Sequence, residues 1–263
     1  MTHPAYGQLR RVTPDASVLL AANPGPMTLE GTNTWLLRAA GSPDAIVVDP
    51  GPDDADHLAA VADAAGRVAV ILLTHGHPDH SDGARGLNAL TGADVRALDP
   101  AHRLGSAGLV EGDVVAAAGV ELRVWSTPGH TADSLSFLLR GPTDIDAVLT
   151  GDTILGRGST VVAYPDGDLA QYLASLRRLR ELGEMTVLPG HGPELPAAGT
   201  AASGYLAHRE QRLEQVRAVV ARLGSEVTPQ VVVESVYADV DRALWPAAEL
   251  SVRAQLAYLS AHR

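Results

Sequence analysis

Thr74-His75-Gly76-His77-Pro78-Asp79-His80 follows the apolar run Val68-Ala69-Val70-Ile71-Leu72-Leu73, which has the make-up of a buried β-strand. Three histidines and an aspartate therefore emerge where a strand ends. Pro78 suits the first turn of a helix, and Asp82-Gly83-Ala84-Arg85-Gly86-Leu87 continues it. Neutral imidazole with carboxylate is a ligand set that suits zinc, and iron or manganese less exclusively. A polar turn can hold one histidine by chance. Three with an aspartate, at spacings of two, two and one, point to a metal.

Outward from that stretch the same arrangement recurs. Ala45-Ile46-Val47-Val48 runs into Asp49-Pro50-Gly51, and Glu121-Leu122-Arg123-Val124-Trp125 precedes Thr127-Pro128-Gly129-His130-Thr131. Ala147-Val148-Leu149-Thr150 runs into Gly151-Asp152-Thr153, and Met185-Thr186-Val187-Leu188 into Pro189-Gly190-His191-Gly192. Strands that each deliver His or Asp into the following loop are how a layered α/β arrangement assembles a site at one edge. Asp49 reads either as a turn former or as a partner that orients a metal-bound histidine. His57, in a helical stretch from Asp53 to Ala65, reads as a structural residue of a surface helix, and His102 as a residue of a polar connection. Trp35-Leu36-Leu37, Asp94 to Leu98 and Ser134 to Leu139 read as further strands, and Asp168 to Leu182 as a helix. Helices are also expected over Tyr205 to Arg222, after Thr228-Pro229, and over Pro246 to His262. The last carries Leu250, Leu256 and Leu259 as an apolar stripe that docks on the main body.

Composition narrows the chemistry. With no cysteine, any metal is held by His and carboxylate. All 20 basic residues are arginine, which excludes Schiff-base catalysis and a P-loop lysine. A net charge of −11 opposes broad attraction to nucleic acid. No apolar run is long enough to cross a bilayer and the start lacks signal-peptide features, so a cytoplasmic location is expected, with no membrane partner. No Gly-X-Ser-X-Gly elbow is present, which favours water over a side chain as nucleophile.

On these motifs, over roughly residues 15–195, the chain resembles the metallo-β-lactamase superfamily. The resemblance implies an α+β fold, a four-layer αββα sandwich with a metal site at one edge. It implies that His75, His77 and His130 hold one zinc ion, that Asp79, His80 and His191 hold a second, and that Asp152 bridges them, with iron or manganese as alternatives. A hydroxide bridging the two ions would attack a carbonyl or phosphorus centre, Asp79 would steer or accept the proton, and Asp49 would support the ligands from behind. Asn23-Pro24-Gly25-Pro26-Met27-Thr28-Leu29-Glu30-Gly31-Thr32-Asn33-Thr34 and Gly151-Asp152-Thr153-Ile154-Leu155-Gly156 are similar to the β-lactamase-like protein 2 group. That group has a small helical, winged-helix-like C-terminal module, so residues 1–200 are expected to form the hydrolase domain and 201–263 the module. It includes thioesterases acting on carrier-protein-bound polyketides and an endoribonuclease.

The reading that follows is a binuclear zinc hydrolase of small-molecule esters or thioesters. Asn33, Trp35, Arg157 and Tyr164 flank the motif loops and are candidate substrate contacts. The alternative is an endoribonuclease or phosphodiesterase on single-stranded RNA, using Arg209, Arg212, Arg217 and Arg222. It is disfavoured because residues 205–263 carry seven arginines against seven acids. Oligomeric state has no signature in the sequence.

Overall fold

The computed structural model describes residues 3–262 except 106, 143–145 and 225. One sheet runs β1 (Arg10–Arg11), β2 (Ala16–Leu20), β3 (Asn33–Leu37), β4 (Asp44–Val48), β5 (Arg67–Leu72), β6 (Val95–Arg96) in that spatial order. It is antiparallel as far as β4, and β4, β5 and β6 are parallel. The second sheet contains β7 (Val114–Ala117), β8 (Val120–Ser126), β9 (Leu135–Arg140), β10 (Ala147–Gly151) and β11 (Thr186–Pro189), all antiparallel neighbours except the parallel pair β10–β11.

The alternation along β4 shows why four layers form. Ile46 and Val48 join Trp35, Leu72, Val124, Phe137 and Leu149 in the core between the sheets. Ala45 and Val47 point the other way, into a core completed by Leu58, Val61 and Leu87. Those residues come from α1 (Ala55–Ala65), which joins β4 to β5, and from α3 (Gly83–Thr91), which follows β5 after the single turn α2 (Pro78–Ser81). A strand buried on both faces reads as a continuous apolar run, as Asp44–Val48 does after its first residue. On the far side, Val148 and Val187 pack against Leu169, Tyr172, Leu173 and Leu176 of α4 (Leu169–Arg180). The order is helix, sheet, sheet, helix.

α5 (Ala198–Leu223) begins seven residues before the helix expected from Tyr205. Its first turns are alanine, glycine and threonine, which carry no apolar stripe. They pack by close approach instead: a Cβ on Gly199 would lie 3.0 Å from the Arg180 carbonyl oxygen. Farther along, Val216 and Val219 of α5 meet Val232, Val233 and Val236 of α6 (Pro229–Val236) and Val252 of α7 (Trp245–Ala261) in a separate cluster. Among the described residues beyond 200 there is no strand, so the module is helical. The stripe expected on α7 is only partly used. Leu256 and Leu259 pack inward, whereas Leu250 is 37% exposed and the buried face is carried by Ala248, Ser251, Val252, Ala254 and Gln255. The strand expected over Asp94 to Leu98 shortens to Val95–Arg96.

Phe137, the single phenylalanine, is fully buried opposite Val124 and Leu149 where the sheets face each other. Phe137→Ala is expected to lower unfolding free energy by about 3–5 kcal/mol, measured by denaturant titration.

Candidate metal centre

Loops from both sheets converge at one edge. β5 delivers Thr74 to His80, with His80 inside α2, and β4 delivers Asp49 beside it. From the other sheet, the loops after β8, β10 and β11 bring His130, Asp152 and His191. Two glycines permit the meeting. A Cβ on Gly190 would lie 2.6 Å from Asp152 Oδ1 and 2.7 Å from His80 Cε1, so the turn into His191 tolerates no side chain. A Cβ on Gly76 would lie 2.4 Å from His102 Nε2. His102, assigned from sequence to a polar connection, thus packs on the glycine between two of the motif histidines.

Partners behind the rings fix which nitrogen faces the centre. His130 Nδ1 donates to the Val161 carbonyl oxygen at 2.6 Å and His191 Nδ1 to that of Gly31 at 3.1 Å. His80 Nδ1 donates to Asp49 Oδ2 at 2.9 Å. The Thr74 hydroxyl donates to the same oxygen at 2.7 Å, so it accepts from His75 Nδ1 at 3.1 Å. Four imidazoles are therefore held with Nε2, the lone-pair nitrogen of that tautomer, turned inward. His80 Nε2 lies 3.2 Å from His191 Nε2, and His77 Nδ1 lies 3.1 Å from His75 Nε2 and 3.0 Å from His130 Nε2. The carboxylates complete the ring: Asp79 Oδ2 is 3.1 Å from His191 Nε2, and Asp152 Oδ1 and Oδ2 are 3.4 Å from His80 Nε2 and 3.5 Å from His191 Nε2. Asp152 Oδ1 is buried and makes no hydrogen bond.

Donor atoms within 4.8 Å of one another form three groups that could hold a metal ion: His75, His77 and His130; His75, His80 and Asp152; Asp79, His80 and His191. Acceptors facing acceptors in a buried space repel unless positive charge lies between them. Cations fit this donor set.

In the protein alone, protons supply part of that charge. Burial works against the charged form of His80, but Asp152 and Asp49 outweigh it and hold the imidazole well above its ordinary range. For His191, burial is likewise overcome by Asp152 and Asp79, and the value rises to about 9. Burial dominates at His130, which falls to about 4, and at His75, held well below the ordinary range. Asp152 is held well below the carboxylate range because His191 and His80 more than offset its burial.

Asp49 supports the group from behind. Its backbone lies at φ 53° and its carboxylate, 1% exposed, accepts from the Thr74 amide at 2.8 Å as well as from Thr74 Oγ1 and His80 Nδ1. The other candidates scatter. Trp35 is 2% exposed in the inter-sheet core, with its indole N–H on the Pro189 carbonyl oxygen at 3.1 Å. Asn33 donates to the Pro189 and Gly192 carbonyl oxygens at 3.0 and 2.8 Å, bracketing the turn that carries His191. Arg157 pairs with Glu30 and lines a cavity that His130 and Asp152 also line, whereas Tyr164 is 38% exposed and outside it. His57 is not on the surface; it is 7% exposed and its Nε2 meets Thr34 Oγ1 at 2.9 Å.

Sequence reasoning missed the braces behind Asp152. The loop after β10 is gripped by the C-terminal helices: Tyr205 OH accepts from the Leu155 amide at 3.0 Å, Arg209 donates to the Thr160 carbonyl oxygen, and Ser251 Oγ accepts from the Val162 amide at 3.3 Å. Thr160 Oγ1 in turn donates to the Asp152 carbonyl oxygen at 2.7 Å. No local pattern marks these residues, because each acts across a long sequence separation.

The Metallo-beta-lactamase superfamily pattern matches residues 27–191, and a Beta-lactamase associated winged helix domain matches residues 228–262. A beta-lactamase-like protein 2 homolog from Caenorhabditis elegans is 32% identical over 233 residues, covering 84% of this chain and 76% of that protein. An atrochrysone carboxyl ACP thioesterase from Aspergillus fumigatus is 32% identical over 219 residues, covering 78% of this chain and 64% of that protein. A beta-lactamase domain protein from Burkholderia ambifaria, solved by crystallography, superposes with a TM-score of 0.79 at 25% identity, covering 99% of this chain and 90% of that one. The chain belongs to the metallo-β-lactamase superfamily, with its associated winged-helix module.

In chelator-treated protein, histidine NMR titration is expected to show His191 keeping its proton until about pH 9 and His130 staying neutral until about pH 4. The signs oppose each other. His191 contributes stability that is complete below its ordinary value of 6.5 and is lost as pH rises through about 9. His130 binds its proton more readily when unfolded, so it costs stability as pH falls from 6.5 through about 4. Asp49→Ala strands three buried donors, and a loss of about 3–5 kcal/mol is expected in denaturant unfolding.

Proposed function

We propose that this chain is a metal-dependent hydrolase of small-molecule esters or thioesters, working with two divalent cations, zinc in the first instance. His75, His77 and His130 would hold one, Asp79, His80 and His191 the other, and Asp152 would contact both. The observation that carries this reading is the inward-facing set of imidazole nitrogens around the orphaned Asp152 Oδ1. Bound cations would supply activation of water near neutral pH and stabilisation of the negative charge that develops on a carbonyl oxygen.

The chain's own residues do the rest. Asp79 is the carboxylate of the group with the more exposed side chain, 28% against 10% for Asp152. It is therefore placed to take up a proton and pass it outward, the catalytic role assigned here. Asp152, buried and braced through Thr160, holds its place while charge changes around it. Asp49 holds His75 and His80 in the ligating tautomer. The cavity lined by His130 and Asp152 continues onto the C-terminal helices, so substrate enters between the sandwich and the module, and the division near residue 200 serves that entrance.

The acyl substrate is supported by the likeness to a protein named as an acyl-carrier thioesterase. The four arginines of the RNA reading do not act as one face: Arg209 is 3% exposed and lines the same cavity as Arg212, Arg217 pairs with Glu214, and Arg222 lies in the last turn of α5.

Chelation is expected to abolish thioester hydrolysis and zinc to restore it. His77→Ala and Asp152→Ala should each lower kcat by about 10²-fold or more while the far-ultraviolet circular dichroism stays native. Full activity in metal-free protein, checked by elemental analysis, would sink the reading.

A further inference from the structure

The cavity of about 300 Å³ that reaches His130 and Asp152 has a second wall of a different character. His208, Arg209 and Arg212, within two turns of α5, line it, while Asp152 is the single carboxylate among its lining residues. The chain carries 31 acidic residues against 20 arginines, so arginines without a carboxylate partner at a cavity stand out. Among the described residues neither Arg209 nor Arg212 forms an ion pair. Arg209 is 3% exposed and its Nε has no hydrogen-bond partner at all. Arg212 uses Nη1 on the Val236 carbonyl oxygen at 2.8 Å and on Gln215, and its guanidinium carbon sits over the Tyr237 ring, 4.7 Å from the centroid. The field of the two cations is legible on His208, whose imidazole is held below its ordinary range by burial first and then by Arg209 and Arg212.

A buried cation with an unsatisfied donor is costly unless an anion reaches it. Apolar lining from Met27, Leu155 and Val240 accompanies the charged residues. We infer that the substrate is an anionic thioester: its reacting carbonyl lies at the His130–Asp152 side of the cavity, and an acid group elsewhere in the same molecule is gripped by Arg212, Arg209 and His208. This inference rests on the hydrolase reading above and narrows it. The acid group has two chemical sources, a carboxylate on the acyl chain or a phosphate on the thiol portion.

Non-hydrolysable thioethers test the grip without turnover. Calorimetric titration of the zinc-loaded full chain compares S-butyl-N-acetylcysteamine, which is neutral, with the same compound bearing a terminal carboxylate on its chain, and with S-butyl-coenzyme A. At least one anionic probe is expected to bind about ten-fold or more tightly than the neutral one, and which one identifies the source. Arg212→Gln is expected to bring that ratio close to one. His208→Gln, on a half-buried side chain, serves if Arg212→Gln lowers the Tm. Equal affinities for all three probes, or an undiminished ratio in both variants, would overturn the proposal. The matching thioesters separate the two readings. Selective binding with no hydrolysis sinks the thioesterase and leaves the grip; hydrolysis with no charge preference does the reverse.

Discussion

Inward-facing acceptors are the constraint on which this structure depends. Five imidazole nitrogens and two carboxylates occupy a space a few ångströms across, and most of them are buried. Such a group collapses, titrates or binds cations. Collapse is opposed because four of the five rings are tied from outside by an atom that cannot follow them: the Val161 and Gly31 carbonyl oxygens, Thr74 Oγ1 and the Asp49 carboxylate. The carboxylates hold protons on His80 and His191, whereas burial keeps His130 and His75 neutral, so protons serve one half of the group and not the other. A cation satisfies all of them at once, which scattered protons cannot.

Much of this was legible along the chain because the site is built from a repeated local device. An apolar strand followed by Gly, Asp or His reads the same in sequence as in space: β4, β5, β10 and β11 each end one or a few residues before Asp49, His75, Asp152 and His191. Strand burial is a property of neighbouring residues, so periodicity reports it. What periodicity could not report was contact across the sandwich. Trp35 sits beside the motif loops in sequence terms, yet its alternation turns it into the inter-sheet core. His57 lies on a helix whose acidic first turn suggests solvent, but its ring turns under Thr34. The first turns of α5 escaped because helices that meet through Gly and Ala leave no apolar stripe to detect.

The C-terminal helices reach back to the site through hydrogen bonds of Tyr205, Arg209 and Ser251 to the loop after β10. That loop carries Asp152 at its start and Val161, the acceptor for His130, midway along it. Two of the seven candidate ligands are therefore positioned through a segment that the module holds in place. The module is part of the site's rigidity and also lines the cavity that reaches it.

One element serving both ends has a consequence for how the site tolerates change. α5 supplies Tyr205 and Leu206 to the core beneath α4, Arg209 to the loop, and Val216 and Val219 to the module's own cluster. A rotation of that helix that improved the module's packing would swing Arg209 off Thr160 and loosen the backbone that orients His130. Arg209 also stacks over Tyr172, whose hydroxyl donates to the Thr153 carbonyl oxygen at 2.8 Å, one residue beyond Asp152. The guanidinium thus touches the loop directly and through a second arm. Such closed circuits of contacts make a buried charge a register pin: the helix has one azimuth in which the Arg209 Nη2 bond to Thr160 and the tyrosine face are met together. That azimuth is also the one that turns His208 and Arg212 toward the cavity.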